Sequence, residues 1–315
     1  MTAPNLYDKR FVFFTGKGGV GKTTVASAFA YSCAKRGMRT LLLEINTKDK
    51  VSLMFGSEEV GSEIVEIEDN LFAANVTPSA AMEEYALMML KVRIVYKAVF
   101  ENRIIQSFLK AIPGLPELVM LGKAYFHAVE KTGARYTWDM VVVDAPATGH
   151  GLFFLQIPQV ITSILSSGHM FEEAQEIRKV MSDPSFTALN IVTLPEEMPV
   201  NETKMLYEVA STKLNVPLGF VVANGIYAPL FDEGELAVLP EPADAHEQAL
   251  FDAARFRVQR SALQQKYLAE LYDATPLPVA KFPYVFAEHL DFVAIRTMAA
   301  SLDEQITSLT KGDAR

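Results

Sequence analysis

The sequence predicts an α/β fold: a mostly parallel sheet with helices on both faces and a helical subdomain set beside it. Three observations carry the prediction. Short runs of valine, leucine, isoleucine and phenylalanine recur along the chain, and they are continuously apolar, as strands buried on both faces are. Helical patterns separate most of them, as in repeated βα units. Two stretches, about 78–131 and 151–183, break the alternation and read as helices alone, so they are assigned to an insertion within one domain spanning 1–315. With 315 residues, half of them hydrophobic, the chain has ample apolar material for one large core.

In chain order, FVFF at 11–14 forms the first strand. A helix runs from Lys22 to about Arg36, and Gly37 is its stop. RTLLLEI at 39–45 is the second strand and LFAANV at 71–76 the third. Residues 78–131 hold no good strand and are interrupted at PGLPE, 113–117. WDMVVVDA at 138–145 returns to the sheet before a second apolar helical stretch at 151–182. TALNIVTL at 187–194, PLGFVVAN at 217–224 and PLPVAKF at 276–282 supply further strands. Residues 228–248 begin as an acidic, proline-bearing loop, from which a long amphipathic helix runs to about Tyr272.

Composition excludes several functions. The net charge is −9 and no basic block appears, which argues against nucleic acid as a partner. Cys33 is the single cysteine, so neither an internal disulfide nor a cysteine-cluster metal site can be built, and a reducing cytoplasm fits. MTAPNLYDKR at the start lacks the basic flank and apolar core of a signal peptide. The longest stretch free of Asp, Glu, Lys and Arg, residues 145–171, carries prolines, glutamines and serines, and reads as buried or groove-lining rather than membrane-spanning.

Gly16-x-x-x-x-Gly21-Lys22-Thr23 lies between the first strand and the first helix, the context that a phosphate-binding P-loop requires. Glycines let backbone N–H groups converge on phosphate oxygens, and the helix start adds its dipole. ATP or ADP is therefore expected against Gly16, Gly18, Gly19, Val20, Gly21, Lys22, Thr23 and Thr24, with Lys22 reaching the outer phosphates and Thr23 ligating Mg²⁺. Asp144 ends the strand VVVDA, at the sheet edge where such folds place ligand-binding side chains, and can hold the same Mg²⁺ through water.

GKGGVGKTT at 16–24 together with DAPATGH at 144–150 resembles the ArsA/Get family of arsenite-pump ATPases and ATPases that target tail-anchored membrane proteins. TLPEEMPVNET at 193–203, VVANG at 221–225 and PVAKFPYVF at 278–286 resemble it in order and spacing, so the likeness covers nearly the whole chain. It implies a P-loop NTPase of the cytoplasm, a homodimer or a heterodimer with a paralogue, that closes on MgATP and couples closure to its helical subdomain. It implies that Lys17, the early lysine of a deviant Walker A loop, reaches the partner's nucleotide. It also implies a γ-phosphate switch at Gly149 and His150, adenine recognition by Asn224, and a base-flanking loop containing Pro283 and Phe286.

The chain departs from the family pattern in two respects. With Cys33 alone, it lacks both the metal-binding cysteine pair of many targeting ATPases and the arsenite-binding cysteines of the pumps. Asn46 stands where family members carry the aspartate that positions or deprotonates the attacking water, and an amide cannot take up that proton. Glu44 and Asp49 lie close by, read by default as a strand-end residue and a solvated loop charge. The expected function is a slow ATPase switch with a helical surface for a hydrophobic protein client. A non-catalytic ATP-binding scaffold and a positioning ATPase of the MinD/ParA type are the alternatives.

Overall fold

The computed structural model describes residues 4–90, 114–147, 150–238 and 242–311. Its strands are β1 (Phe11–Gly16), β2 (Thr40–Ile45), β3 (Val65–Glu68), β4 (Leu71–Val76), β5 (Lys131–Thr132), β6 (Arg135–Tyr136), β7 (Met140–Asp144), β8 (Thr187–Thr193), β9 (Leu218–Ile226) and β10 (Val279–Pro283). The main sheet has the order β10-β9-β8-β1-β7-β2-β4-β3. Neighbours are parallel except β3, which runs antiparallel to β4 at the edge. Strands β1, β2, β7 and β8 are buried along their whole lengths, which is why their sequences do not alternate.

The helices are α1 (Lys22–Lys35), α2 (Val51–Phe55), α3 (Pro78–Leu90), α4 (Leu115–Val129), α5 (His150–Ile164), α6 (His169–Met181), α7 (Glu197–Val209), α8 (Glu233–Ala237), α9 (Ala245–Ala274) and α10 (Phe292–Lys311). One face of the sheet packs on α1 and α10, with Phe14, Phe29, Leu42, Val142 and Ile295 in its core. The other face takes α4, α5 and α6 around Phe13, Leu43, Val143, Leu121 and Phe154. A third cluster, around Val221, Leu206 and Leu268, joins β9 to α7 and α9. Helix α1 is enclosed: every residue from Thr23 to Ala34 is buried, and its many alanines and serines let the sheet and α10 approach closely.

Helix α3 packs on α4, α4 on α5 and α6, and α5 on α6. A cavity of about 740 Å³ opens among α3, α4 and α6, lined in part by Glu84, Tyr85, Lys123, Phe126, His169 and Glu173. Among the described residues, no helix is long and apolar enough to cross a membrane. The interruption expected at 113–117 falls partly outside the described residues, and α4 starts at Leu115 just beyond Gly114.

Three elements differ from the sequence expectation. VEIE at 65–68 forms the edge strand β3 although it is only half buried and its core signal is weak. The short hairpin β5–β6 turns on Gly133, whose φ of 68° suits a residue without a Cβ. The loop at 228–248 contains α8, started by a reciprocal capping box between Asp232 and Glu235.

Candidate active site

Strand β1 is the point where the sheet order reverses. The chain leaves it through α1 to β2 on one side, and later passes from β7 to β8 on the other. A crevice opens at the C-terminal ends of the strands at such a point. Gly16, Glu44, Asn46, Asp144, Asn224 and Pro283 all belong to strand ends or the loops just beyond them on this edge.

The glycines of the loop are required by space. A Cβ on Gly16 would lie 2.1 Å from the Val192 carbonyl oxygen, and one on Gly21 would lie 2.2 Å from Asn224 Nδ2. Gly19 and Gly21 have φ of 86° and 89°, in the left-handed region. Gly18 faces Ala147, 3.8 Å from where its Cβ would be. Val20 is buried beneath the loop, and its carbonyl accepts from Asn224 Nδ2 at 2.9 Å. Lys22 Nζ folds over the loop and donates to the Lys17 carbonyl at 3.1 Å. Thr24 is buried in the first turn of α1.

The Thr23 hydroxyl donates to Asp144 Oδ2 at 2.6 Å, although the two residues are 121 positions apart. Asp144 is 4% exposed, and among the described residues its Oδ1 has no partner. Burial pushes its carboxyl up to about 6, against the opposing pull of the Thr23 hydroxyl and of Lys22 and Lys50. Burial also lowers Lys22, while the Asp144 charge opposes that shift. A hydroxyl and a carboxylate at the mouth of a loop of backbone N–H groups form an oxygen donor set suited to Mg²⁺ beside a polyphosphate, so the residues present fit both groups.

Glu44 is in register with Asp144 across the β2–β7 pair and is fully buried. Burial raises its carboxyl to about 8. The Lys50 N–H, which donates to Oε1 at 3.2 Å, works against this, and the Asp144 and Asp49 charges add to it. Asp49 is not a free carboxylate: it accepts from the N–H groups of Ser52 and Val60 at 3.0 and 2.9 Å. Asn46 is exposed, with φ of 51°, and its N–H donates to the Val76 carbonyl at 2.9 Å. Among the described residues its side chain makes no hydrogen bond. Gly149 lies outside the described residues, and His150 begins α5.

Lys17 forms an ion pair with Glu202 of α7 within the same chain. Toward the other end of the edge, Tyr227 stacks on Tyr284 with ring centroids 4.9 Å apart, and Phe286 closes on Tyr284 at 4.7 Å. The Arg257 guanidinium lies 4.9 Å from the Tyr227 ring and 4.8 Å from that of Phe286. Phe286 is 67% exposed, and Pro283 is exposed at the end of β10. Phe286 therefore belongs to a surface aromatic cluster rather than to the core.

Sequence reasoning named Phe286 and Asn224 but missed Tyr227, Tyr284 and Arg257 around them, and Glu202 beside Lys17. An aromatic three residues beyond Asn224, just past the strand, was the available signal for Tyr227. Arg257 and Glu202 carry none, because only the fold brings them to the site.

The sequence profile of the anion-transporting ATPase family matches residues 9–168 and 164–304. The chain is 26% identical over 307 residues to the ATPase BagA of Mycobacterium tuberculosis, covering 95% of this chain and 84% of that one. It is 26% identical over 317 residues to the ATPase GET3 of Podospora anserina, covering 89% and 86%. A putative arsenical pump-driving ATPase of Halobacterium salinarum is 28% identical over 315 residues, 94% of this chain but 44% of the longer archaeal one. With a phosphate-binding loop, a hydroxyl–carboxylate pair at its mouth and a profile match along nearly its whole length, the chain belongs to the anion-transporting ATPase family and is a nucleotide-binding ATPase.

Proposed function

We propose that this chain is a slow, dimeric ATP switch whose helical layer binds a hydrophobic protein client. The Thr23–Asp144 contact carries the nucleotide part of the reading, because it joins a P-loop to a buried acid in the arrangement that MgATP chemistry needs. A bound Mg²⁺ would supply neutralising charge beside the phosphates. Thr23 and Asp144 hold it, the loop from Gly16 to Thr24 wraps the phosphates, and Lys22 turns from the Lys17 carbonyl to them. Asn224, its Nδ2 given to Val20, offers Oδ1 to the adenine amino group, and the Tyr284–Phe286 segment beyond Pro283 lies against the base.

The chemical step is slow because Asn46 can orient a water but cannot take its proton. Lys17 reaches a partner's phosphates only after leaving Glu202, so closure of the dimer and loss of that ion pair are one event. The partner is a second copy or a paralogue carrying an aspartate at this position. Helices α3–α6, within the subdomain of about 78–131 and 151–183, carry the client surface, and their mixed apolar and acidic cavity supports that role. The reading places the protein in the cytoplasm.

Fluorescent ADP and ATP binding, with and without Mg²⁺, tests the nucleotide site, and light scattering tests the dimer. Tight Mg²⁺-dependent binding with ATP-induced dimerisation is expected. Metal-independent binding would overturn the metal assignment, and a monomer under every nucleotide, also with a paralogue present, would overturn the switch.

A further inference from the structure

Three neighbouring strands end in a row of buried polar side chains. Glu44 on β2 is in register with Asp144 on β7 and with Asn75 on β4, and paired residues of parallel strands point to the same face. That face packs on α1, the helix that carries Thr23. Asn75 is 7% exposed and Glu44 fully buried.

Each side chain uses one end and leaves the other open. Glu44 Oε1 accepts from the Lys50 N–H at 3.2 Å, and Asn75 Nδ2 donates to the Thr47 carbonyl at 2.8 Å. Among the described residues, Glu44 Oε2, Asn75 Oδ1 and Asp144 Oδ1 have no partner. Buried oxygens are almost always satisfied, and three unsatisfied ones in one row mark a place for donors that the protein itself does not supply. With Glu44 ionised, the row offers oxygen acceptors, two of them carboxylates, which suit the water shell of a hydrated divalent cation.

We propose that Glu44 and Asn75 are positioning residues that extend the metal edge beyond Asp144. Through water they hold the hydrated cation, and through Lys50 and Thr47 they fasten the loop at 46–50 to it. The loop carrying Asn46 is thereby coupled to the metal through these side chains and their water. This inference rests on the Mg²⁺ site of the preceding section.

The test uses the full chain with Mg²⁺ and ADP, reading the half-saturating Mg²⁺ for ADP binding and the electron paramagnetic resonance spectrum of bound Mn²⁺·ADP. Supporting groups around a metal typically change affinity about 10–100-fold when lost. Glu44→Gln should raise half-saturating Mg²⁺ by about 10-fold and alter the Mn²⁺ line shape, while ADP binding without metal stays as in the parent. Asn75→Leu should act in the same direction. Glu44→Met replaces the glutamine variant if that one melts early. If both Glu44 and Asn75 variants keep the parent's metal dependence while Asp144→Asn loses it, the inference is wrong and the site stands. If Asp144→Asn also keeps it, the metal site itself fails and this extension with it.

Discussion

The two ends of the strand edge solve opposite problems. At the phosphate end, Thr23, Asp144 and Glu44 are buried, and glycines leave no room for a side chain at Gly16 or Gly21. At the proposed base end, Tyr284 and Phe286 stand largely in solvent, 45% and 67% exposed, stacked on Tyr227 and Arg257. Charge is handled by fixed, desolvated geometry, where each atom matters and a misplaced one is costly. On the proposed reading a flat base would meet ring faces, which tolerate displacement and substitution. The comparison teaches that substitutions of equal size should have very unequal effects at the two ends.

The largest effect is expected at the phosphate end on rate. Asn46→Asp should raise ATP turnover by about 10²-fold, the lower part of what a general base contributes, with little change in ATP affinity. Steady-state phosphate release measures it, and a lower rate in the variant would remove Asn46 from the water-holding position.

Next comes binding. Lys22→Ala removes a charge-assisted contact worth roughly 1.5–3 kcal/mol, so MgATP affinity should fall by about 10–100-fold in a titration. An unchanged affinity would erase the contrast between the ends.

The buried acids make stability depend on pH. Between 4.5 and about 8, Glu44 keeps its proton in the folded protein and loses it in the unfolded chain. The folded state then binds more protons, so stability falls as pH rises through this window, at about 1.4 kcal/mol per pH unit for that group. Asp144 adds the same sign between 3.8 and about 6. Denaturant titrations of the nucleotide-free protein should show the decline, and Glu44→Gln should flatten the part between pH 6 and 8. A flat parent profile there would contradict the burial argument.

The smallest effect belongs to the base end. Phe286→Ala should weaken ATP binding by about 0.5–1.5 kcal/mol and weaken triphosphate alone not at all. Competition between ATP and inorganic triphosphate separates the two, and equal losses would show that Phe286 acts on the phosphates instead.

Legibility in the sequence follows the same division. The loop at 16–24 could be read because its chemistry sits in contiguous residues, and the inner strands because burial on both faces makes them apolar throughout. Strand β3 escaped because a half-exposed edge strand carries little apolar signal. Glu44 was read as an ordinary strand-end residue, although a carboxylate within LLLEI, in step with Leu42, is placed on the α1 face by strand alternation alone. Glu202 and Arg257 were out of reach, since Lys17 and Glu202 stand 185 positions apart and no local pattern joins them. The exposure of Phe286 was equally hidden, because an aromatic after a strand has the same sequence in a core or on a surface.

Helix α1 is buried from Thr23 to Ala34, whereas the loop at 46–50 exposes Asn46, Lys48 and Lys50 and hangs on two side-chain hydrogen bonds, to Glu44 and from Asn75. Regions of one protein open with very different free energies, and enclosed elements open last. Amide protons of α1 should therefore exchange only with whole-molecule unfolding, on the slowest timescale the protein has. Those of the 46–50 loop should exchange through small, frequent openings. Hydrogen exchange should thus read two clocks on opposite sides of the phosphate loop, a slow floor and a faster wall.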